Sequence, residues 1–322
     1  MKAQANTIKI NQAEKRTTEI LFAVFTPFHE DGSINWLRIP DLFQHCVKSG
    51  ANGIFLNGTT GEFASLTITE RLKLVEAWIS CREDNHASDF KIVVHVGSAN
   101  LQEAAEMAKH AQELGASGVA MVASFYYRPK SLAALMEQCQ YVAAAASNIP
   151  FYYYNIPSFT GVNFPLIDFF EMAVEQIPNF AGMKNSSSDM VDHQHCIHFA
   201  KEKYALYWGI DEAFMMLFSA GNKRFVGSTY NYMNFIYTSM VEAYNQGDWQ
   251  TVLSLEADAD AIHRIVLSSN NGIAVGKEIM RFMGVDCGQV RMPLKKVSKA
   301  DSEILFQKLQ TTALFSQILV NQ

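Results

Sequence analysis

The chain has 322 residues, of which 49% are hydrophobic and 18% charged, a composition typical of a globular protein rather than a disordered one. Its formal net charge is −6 and it contains no dense run of lysine and arginine. We therefore expect neither nucleic acid nor an anionic membrane as the main partner. No apolar run approaches the length of a membrane span, and five widely spaced cysteines predict reduced thiols in a cytoplasmic protein.

The first 18 residues lack the apolar core of a signal peptide, and we predict that they form an N-terminal extension. From there to residue 247, short β-type segments alternate with longer segments whose apolar residues recur at helical spacing. Thr67 and Glu70 have the spacing of a capping box at the start of one such helix. The predicted strands are 20–28, 53–58, 91–97, 118–124, 151–157, 180–186, 205–210 and 224–229.

Nearly continuous apolar strands are typical of parallel sheets that are buried on both faces. Eight strand–helix units over residues 19–247 predict an α/β fold of the (β/α)8 TIM barrel type. A doubly wound open sheet is the alternative, but it usually has fewer strands, and the chain has no GxGxxG turn. Residues 248–322 have only helical patterns and predict a C-terminal helical region packed on the barrel.

The first candidate site segment is "NGTTGE", residues 57–62, which follows the second predicted strand. Adjacent amides and hydroxyls at a strand end form a nest that suits one carboxylate. Thr59 and Glu62 also have capping-box spacing, and this alternative is equally compatible with the segment.

Two further candidates lie at the ends of neighbouring predicted strands. In "FYYYNIP", Tyr152 and Tyr154 share one face of the strand, and Tyr153 faces the other. Lys184 lies near the C-terminal end of the next strand, so it points to the barrel face that carries functional residues. Its amine could form a Schiff base with a carbonyl, and the Tyr154 phenol could move protons. The alternatives are a surface lysine and a tyrosine that only packs the core.

The segment "DHQHCIH" contains three histidines, but it does not predict a metal site. His193 and His195 cannot face one ion from a helix, because residues two apart lie on different faces. His195 and His198 could, but no third ligand is evident. We predict that the protein binds no metal and needs no cofactor.

Several segments together resemble the family of dihydrodipicolinate synthases and N-acetylneuraminate lyases, in the right order over about residues 20–297. They are "NGTTGE", "FYYYNIP", "GMKNSSSD", "GIDEAF", "VGSTYNY" and "VDCGQVRMPL". The resemblance implies a homotetrameric (β/α)8 barrel that acts on pyruvate through a Schiff base. It also implies that Lys184 forms the Schiff base, Tyr154 transfers protons, and Thr59 and Thr60 hold the pyruvate-derived carboxylate. Tyr126 matches a tyrosine of the proton relay, although Tyr127 is an alternative in the alignment.

The same resemblance bears on the substrate. Phe159 stands where dihydrodipicolinate synthases typically have an arginine for a second carboxylate, and phenylalanine cannot form that pair. The positions that match the sugar-tail contacts of sialic acid lyases are Ser186, Gly209, Asp211, Glu212 and Ser228. The resemblance therefore implies a Schiff-base lyase that cleaves N-acetylneuraminate to N-acetylmannosamine and pyruvate. The alternatives are an aldolase for a shorter 2-keto-3-deoxy sugar acid and a non-catalytic sugar-acid-binding protein.

Overall fold

The computed structural model of the protein describes residues 16–269 and 271–320. Eight parallel strands form a closed barrel in which each strand pairs with the next along the chain and β8 pairs with β1. This confirms the predicted (β/α)8 barrel. Most of the predicted N-terminal extension, residues 1–15, lies outside the described residues. The strands are β1 (Glu19–Ala23), β2 (Gly53–Leu56), β3 (Lys91–His95), β4 (Gly118–Val122), β5 (Phe151–Asn155), β6 (Phe180–Asn185), β7 (Ala205–Trp208) and β8 (Arg224–Gly227).

Helices surround the barrel and continue beyond its last strand. Short 3-10 turns cover Trp36–Arg38, Phe63–Ser65 and Asp211–Ala213. The helices are α1 (Ile39–Lys48), α2 (Ile68–Asp84), α3 (Leu101–Glu113), α4 (Leu132–Ala145), α5 (Pro157–Thr160), α6 (Leu166–Gln176), α7 (Met190–Ala200), α8 (Phe214–Ser219), α9 (Tyr230–Gln246), α10 (Trp249–Leu267), α11 (Gly272–Phe282), α12 (Lys299–Leu309) and α13 (Leu314–Val320).

The first strand is shorter than predicted. β1 ends at Ala23, whereas the prediction extended it to residue 28. The apolar residues beyond Ala23 are buried without belonging to the sheet. Thr26 donates a side-chain hydrogen bond to the carbonyl of Gly61, at 2.7 Å. This segment therefore packs against the loop that follows β2 instead of extending the barrel.

Side-chain alternation along the strands separates two apolar cores. Tyr154 belongs to the cluster inside the barrel, with Tyr152 packed against it. Tyr153 faces the helices, where its ring lies 4.3 Å from that of Phe169. The predicted facing of the three tyrosines is thus confirmed, and Tyr154 is directed into the barrel.

The two ends of the barrel carry different chemistry. At the amino-terminal end, Lys91 and Arg224 form ion pairs with Glu19, at 2.7 and 3.3 Å. Lys184 lies near the carboxyl-terminal end of β6, and its Cα is paired with that of Tyr154. The register therefore brings the two predicted catalytic side chains to the same end of neighbouring strands.

The four helices α10 to α13 follow the barrel, as predicted for the C-terminal region. α10 packs along α9, and α11 contacts both. A boundary between two units at residue 248 remains a prediction.

All five cysteines are unpaired and buried. Among the described residues, no helix combines the length and apolarity needed to cross a membrane.

Candidate active site

Lys184 is a buried lysine at the mouth of the barrel. Only 5% of its surface is exposed. Its Nζ lies 4.1 Å from the ring centre of Tyr154 and 4.2 Å from that of Phe55. Within the described ranges, no carboxylate forms an ion pair with it. The amine is therefore held by aromatic faces rather than by a counter-ion.

Tyr154 connects Lys184 to the loop after β2. Its ring packs against the Lys184 amine, and its hydroxyl lies 3.4 Å from Oγ1 of Thr59. Thr60 is half-buried beside Thr59. The barrel thus brings together the predicted lysine, the predicted tyrosine and the predicted carboxylate-binding loop.

The loop Asn57–Glu62 is bounded by two residues in the left-handed region, Asn57 and Glu62, both with φ of 58°. Such a conformation is uncommon for residues other than glycine and needs support from the surroundings. Asn57 Nδ2 donates to the carbonyl of Arg71 at 3.0 Å. Glu62 is buried and does not form a capping box with Thr59. The alternative interpretation of this loop was therefore wrong, whereas the capping box of Thr67 and Glu70 on α2 is confirmed.

Ser186 and Gly209 lie next to Lys184. Ser186 Oγ donates to the carbonyl of Gly209 at 3.1 Å. A Cβ atom at Gly209 would lie 2.2 Å from Ser186 Oγ and 3.2 Å from Lys184 Cε. Glycine at position 209 therefore allows Ser186 and Lys184 to pack closely against the end of β7.

Asp211 has a partner within the chain. Its Oδ2 accepts hydrogen bonds from the amide and the hydroxyl of Thr229, at 2.9 and 2.7 Å. Ser228, which precedes Thr229, is half-buried. Asp211 Oδ1 is buried and, among the described residues, has no hydrogen-bond partner. One oxygen of Asp211 thus supports the turn after β8.

Glu212 borders a cavity of about 230 Å³ that it shares with His263 of α10. Desolvation and then the adjacent Asp211 charge raise the pKa of Glu212 above its ordinary value. These two causes act in the same direction, because both disfavour the charged carboxylate.

Tyr126 and Tyr127 are not brought to Lys184 within one chain. They are 76% and 83% exposed, and their rings contact each other at 5.0 Å. Phe159 is also exposed, at 69%. Three large aromatic side chains are therefore exposed to solvent near the mouth of the barrel.

His95 is a buried residue that the sequence analysis missed. It ends β3, and its ring lies 5.8 Å from that of Tyr154. Nδ1 donates to the carbonyl of Asn57 at 2.8 Å, so the imidazole supports the same loop. Burial, followed by the positive charge of Arg71, holds the pKa of His95 well below its ordinary value. The signal that could have identified His95 is its place in "KIVVHVG", where a polar residue interrupts an apolar strand near its end.

The histidines of "DHQHCIH" have separate environments. His193 is buried. Its Nε2 lies 3.1 Å from Oδ1 of Asn222, and its Nδ1 lies 3.3 Å from Nδ2 of Asn185. His195 and His198 are exposed on α7. His193 therefore packs the helix against the barrel wall.

A largely apolar cavity of about 290 Å³ opens beside Thr59. Ile156, two residues beyond Tyr154 on the same inward face, contributes to its wall. Ile273 of α11, together with Pro293 and Leu294, comes from the C-terminal region. The cavity is thus formed jointly by the barrel loops and the C-terminal helices.

The known proteins to which the chain is similar come from one family. The model of the dihydrodipicolinate synthetase family matches residues 16–312. The chain is 36% identical to N-acetylneuraminate lyase of Rattus norvegicus over 289 residues, which is 89% of either chain. It is 33% identical to N-acetylneuraminate lyase of Homo sapiens, covering 94% of this chain and 95% of the relative. The solved structure of Proteus mirabilis N-acetylneuraminate lyase superposes with a TM-score of 0.88 at 30% identity, covering 93% of this chain and 99% of that one.

Proposed function

The chain belongs to the dihydrodipicolinate synthetase family, and we propose that it is a Schiff-base lyase that cleaves N-acetylneuraminate to N-acetylmannosamine and pyruvate. The observation that carries the proposal is the buried amine of Lys184, which is packed against Tyr154 and has no ion-pair partner among the described residues. Such an amine is available to attack a carbonyl.

The proposed binding mode places the carboxylate of the open-chain keto acid on the loop of Thr59 and Thr60. Hydroxyls and amides of a turn suit a single small anion. The C2 ketone then lies at Lys184. We assign the polyhydroxylated tail to residues at the ends of β6, β7 and β8, which can accept or donate hydrogen bonds, namely Ser186, Gly209, Asp211, Glu212 and Ser228.

The reaction begins when the Lys184 amine adds to C2 and water leaves, which gives an iminium. A base removes the proton from the C4 hydroxyl, the C3–C4 bond breaks, and its electron pair moves toward the iminium nitrogen. This releases N-acetylmannosamine and leaves an enamine. Protonation at C3 and hydrolysis then release pyruvate and restore the amine. Tyr154 is the proposed proton carrier, because its ring contacts Lys184 and its hydroxyl lies close to Thr59. The iminium is the electron sink, so the proposal includes no cofactor.

Two observations favour the sialic acid over other keto acids. The relatives in rat and human and the solved Proteus mirabilis structure all carry the name N-acetylneuraminate lyase. In addition, Phe159 borders the apolar cavity and offers no charge to a second carboxylate. A shorter 2-keto-3-deoxy sugar acid remains the alternative substrate.

We further propose a homotetramer in which Tyr126 of one subunit reaches the active site of another. The exposure of Tyr126, Tyr127 and Phe159 supports this proposal, because exposed aromatic side chains are typical of interfaces. Five unpaired buried thiols are compatible with a cytoplasmic location.

The direct test is product analysis after incubation with N-acetylneuraminate. We expect equal amounts of pyruvate and N-acetylmannosamine, and no products from the Lys184→Met variant. Parallel incubation with a shorter 2-keto-3-deoxy sugar acid tests the alternative. Cleavage of the shorter acid alone would contradict the substrate, and cleavage of neither would support a non-catalytic protein.

A further inference from the structure

Glu62 and Lys277 form a buried ion pair between the loop after β2 and helix α11. Glu62 Oε1 lies 2.6 Å from Lys277 Nζ, and the two side chains are 0% and 1% exposed. Lys277 is itself fixed, because its Nζ donates to the carbonyl of Gln289 at 3.1 Å and lies 4.3 Å from the ring centre of Phe28. The pair therefore connects the loop after β2 to helix α11 through a lysine that has further contacts of its own.

Glu62 belongs to the same turn as Thr59 and Thr60. Its amide donates to the carbonyl of Thr59 at 3.0 Å, and its Oε2 accepts from the amide of Arg291 at 2.9 Å. Its left-handed backbone, with φ of 58°, is uncommon for glutamate. The side chain is thus held at two points by the C-terminal region, while the backbone carries the threonine turn.

Stability alone is a weak reason for such a pair. Removal of both charges from water costs free energy that their attraction only partly offsets, so apolar replacements are often equally stable. Desolvation lowers the pKa of Lys277, and the attraction of Glu62 acts in the opposite direction. A gain in stability therefore does not by itself account for a charged pair in this place.

We propose that Lys277, acting through Glu62, is a positioning residue for carboxylate binding by Thr59 and Thr60. This inference rests on the proposed function, because it assumes that the loop holds the carboxylate of pyruvate. The C-terminal helix α11 then sets the geometry of a site whose chemistry lies in the barrel. The pair acts on the binding of the keto acid and not on the amine of Lys184.

The test compares pyruvate binding in the wild type with that in Glu62→Gln/Lys277→Met. The double variant removes both charges, so it leaves no uncompensated buried charge. Borohydride trapping of pyruvate at Lys184 is measured against pyruvate concentration, beside thermal unfolding. We expect the half-saturating concentration to rise by about 10-fold to 100-fold, since the loss of a hydrogen bond to a charged group has an effect of this order. The maximum extent of trapping should stay unchanged.

Glu278→Gln/Arg281→Met is the matched control, because this ion pair, with an N–O distance of 2.6 Å, lies on the same helix and likewise loses both charges. We expect wild-type half-saturation in this variant. If the double variant does not fold, Glu62→Asp keeps the charge, shortens its reach by one methylene, and should raise the half-saturating concentration. A wild-type value in the folded Glu62 variant would overturn the inference while leaving the proposed function intact. A wild type that traps no pyruvate would overturn both.

Discussion

At the scale of single residues, Tyr154 has two neighbours that define its role. Its ring contacts Lys184 Nζ at 4.1 Å, and its hydroxyl lies 3.4 Å from Thr59 Oγ1. Tyr154→Phe keeps the ring and removes the hydroxyl that we propose as the proton carrier. We expect turnover of N-acetylneuraminate to fall by about 10²–10⁴-fold, the usual contribution of general acid–base catalysis. Tyr153→Phe is the control on the outer face of the same strand, and near-normal turnover in both variants would place the proton route elsewhere.

Glu212 allows a separate test of the sugar tail. Charge-assisted hydrogen bonds to tail hydroxyls contribute about 1.5–3 kcal/mol. Glu212→Gln should therefore lower kcat/KM for N-acetylneuraminate by about 10-fold to 100-fold. Borohydride trapping of pyruvate in the same variant should be unchanged, because pyruvate has no tail. If lyase efficiency is also unchanged, Glu212 does not bind the sugar tail and only lines the cavity that it shares with His263.

At the scale of elements, the sequence allowed prediction of the barrel and of the end at which Lys184 lies. Eight apolar segments and their spacing indicated the strands, and alternation placed Tyr152 and Tyr154 on one face of their strand and Tyr153 on the other. The predicted range of the next strand put Lys184 near its C-terminal end. The supporting contacts could not be predicted in this way. Glu62 and Lys277 are far apart in the chain and meet only when α11 packs on the barrel. The hydrogen bond between His95 and Asn57 likewise depends on how β3 lies beside the loop.

The ion pair of Glu70 and Arg291 connects α2 to the segment after α11 and gives a pH-dependent contribution to stability. Hydrogen bonding to Arg291 lowers the pKa of Glu70 to about 2, below the value of about 4.3 expected in the unfolded chain. Because the folded pKa is the lower one, the stabilisation is present above about pH 5 and is lost as the pH falls toward 2. The free energy of unfolding of the Glu70→Gln variant should therefore decline less than that of the wild type as the pH falls through this range.

The control for that measurement is Glu113→Gln, since the Glu113 side chain is 59% exposed and lies 3.8 Å from Lys109. Its stability profile should follow that of the wild type, because exposed pairs contribute little. Equal profiles for the Glu70 variant and the wild type would show that the pair with Arg291 does not stabilise the folded chain.

At the scale of the whole molecule, the exposed aromatic side chains near the barrel mouth bear on assembly. If the chain forms the proposed tetramer and Tyr126 completes the active site of another subunit, activity should fall when dilution dissociates the assembly. Sedimentation velocity combined with activity measurements over the same concentrations checks this expectation. We expect Tyr126→Ala to reduce turnover without loss of the fold, because the side chain is 76% exposed in the single chain. A fully active monomer would refute the shared site.

The central claim is that Lys184 forms a Schiff base with pyruvate at the mouth of the barrel. Treatment with pyruvate and borohydride, followed by peptide mass spectrometry, tests it most directly. Reduction fixes the iminium as a stable secondary amine, so we predict one added pyruvyl group per chain, on Lys184, together with loss of lyase activity. A label on another lysine, or full activity after reduction with no label on Lys184, would contradict the mechanism.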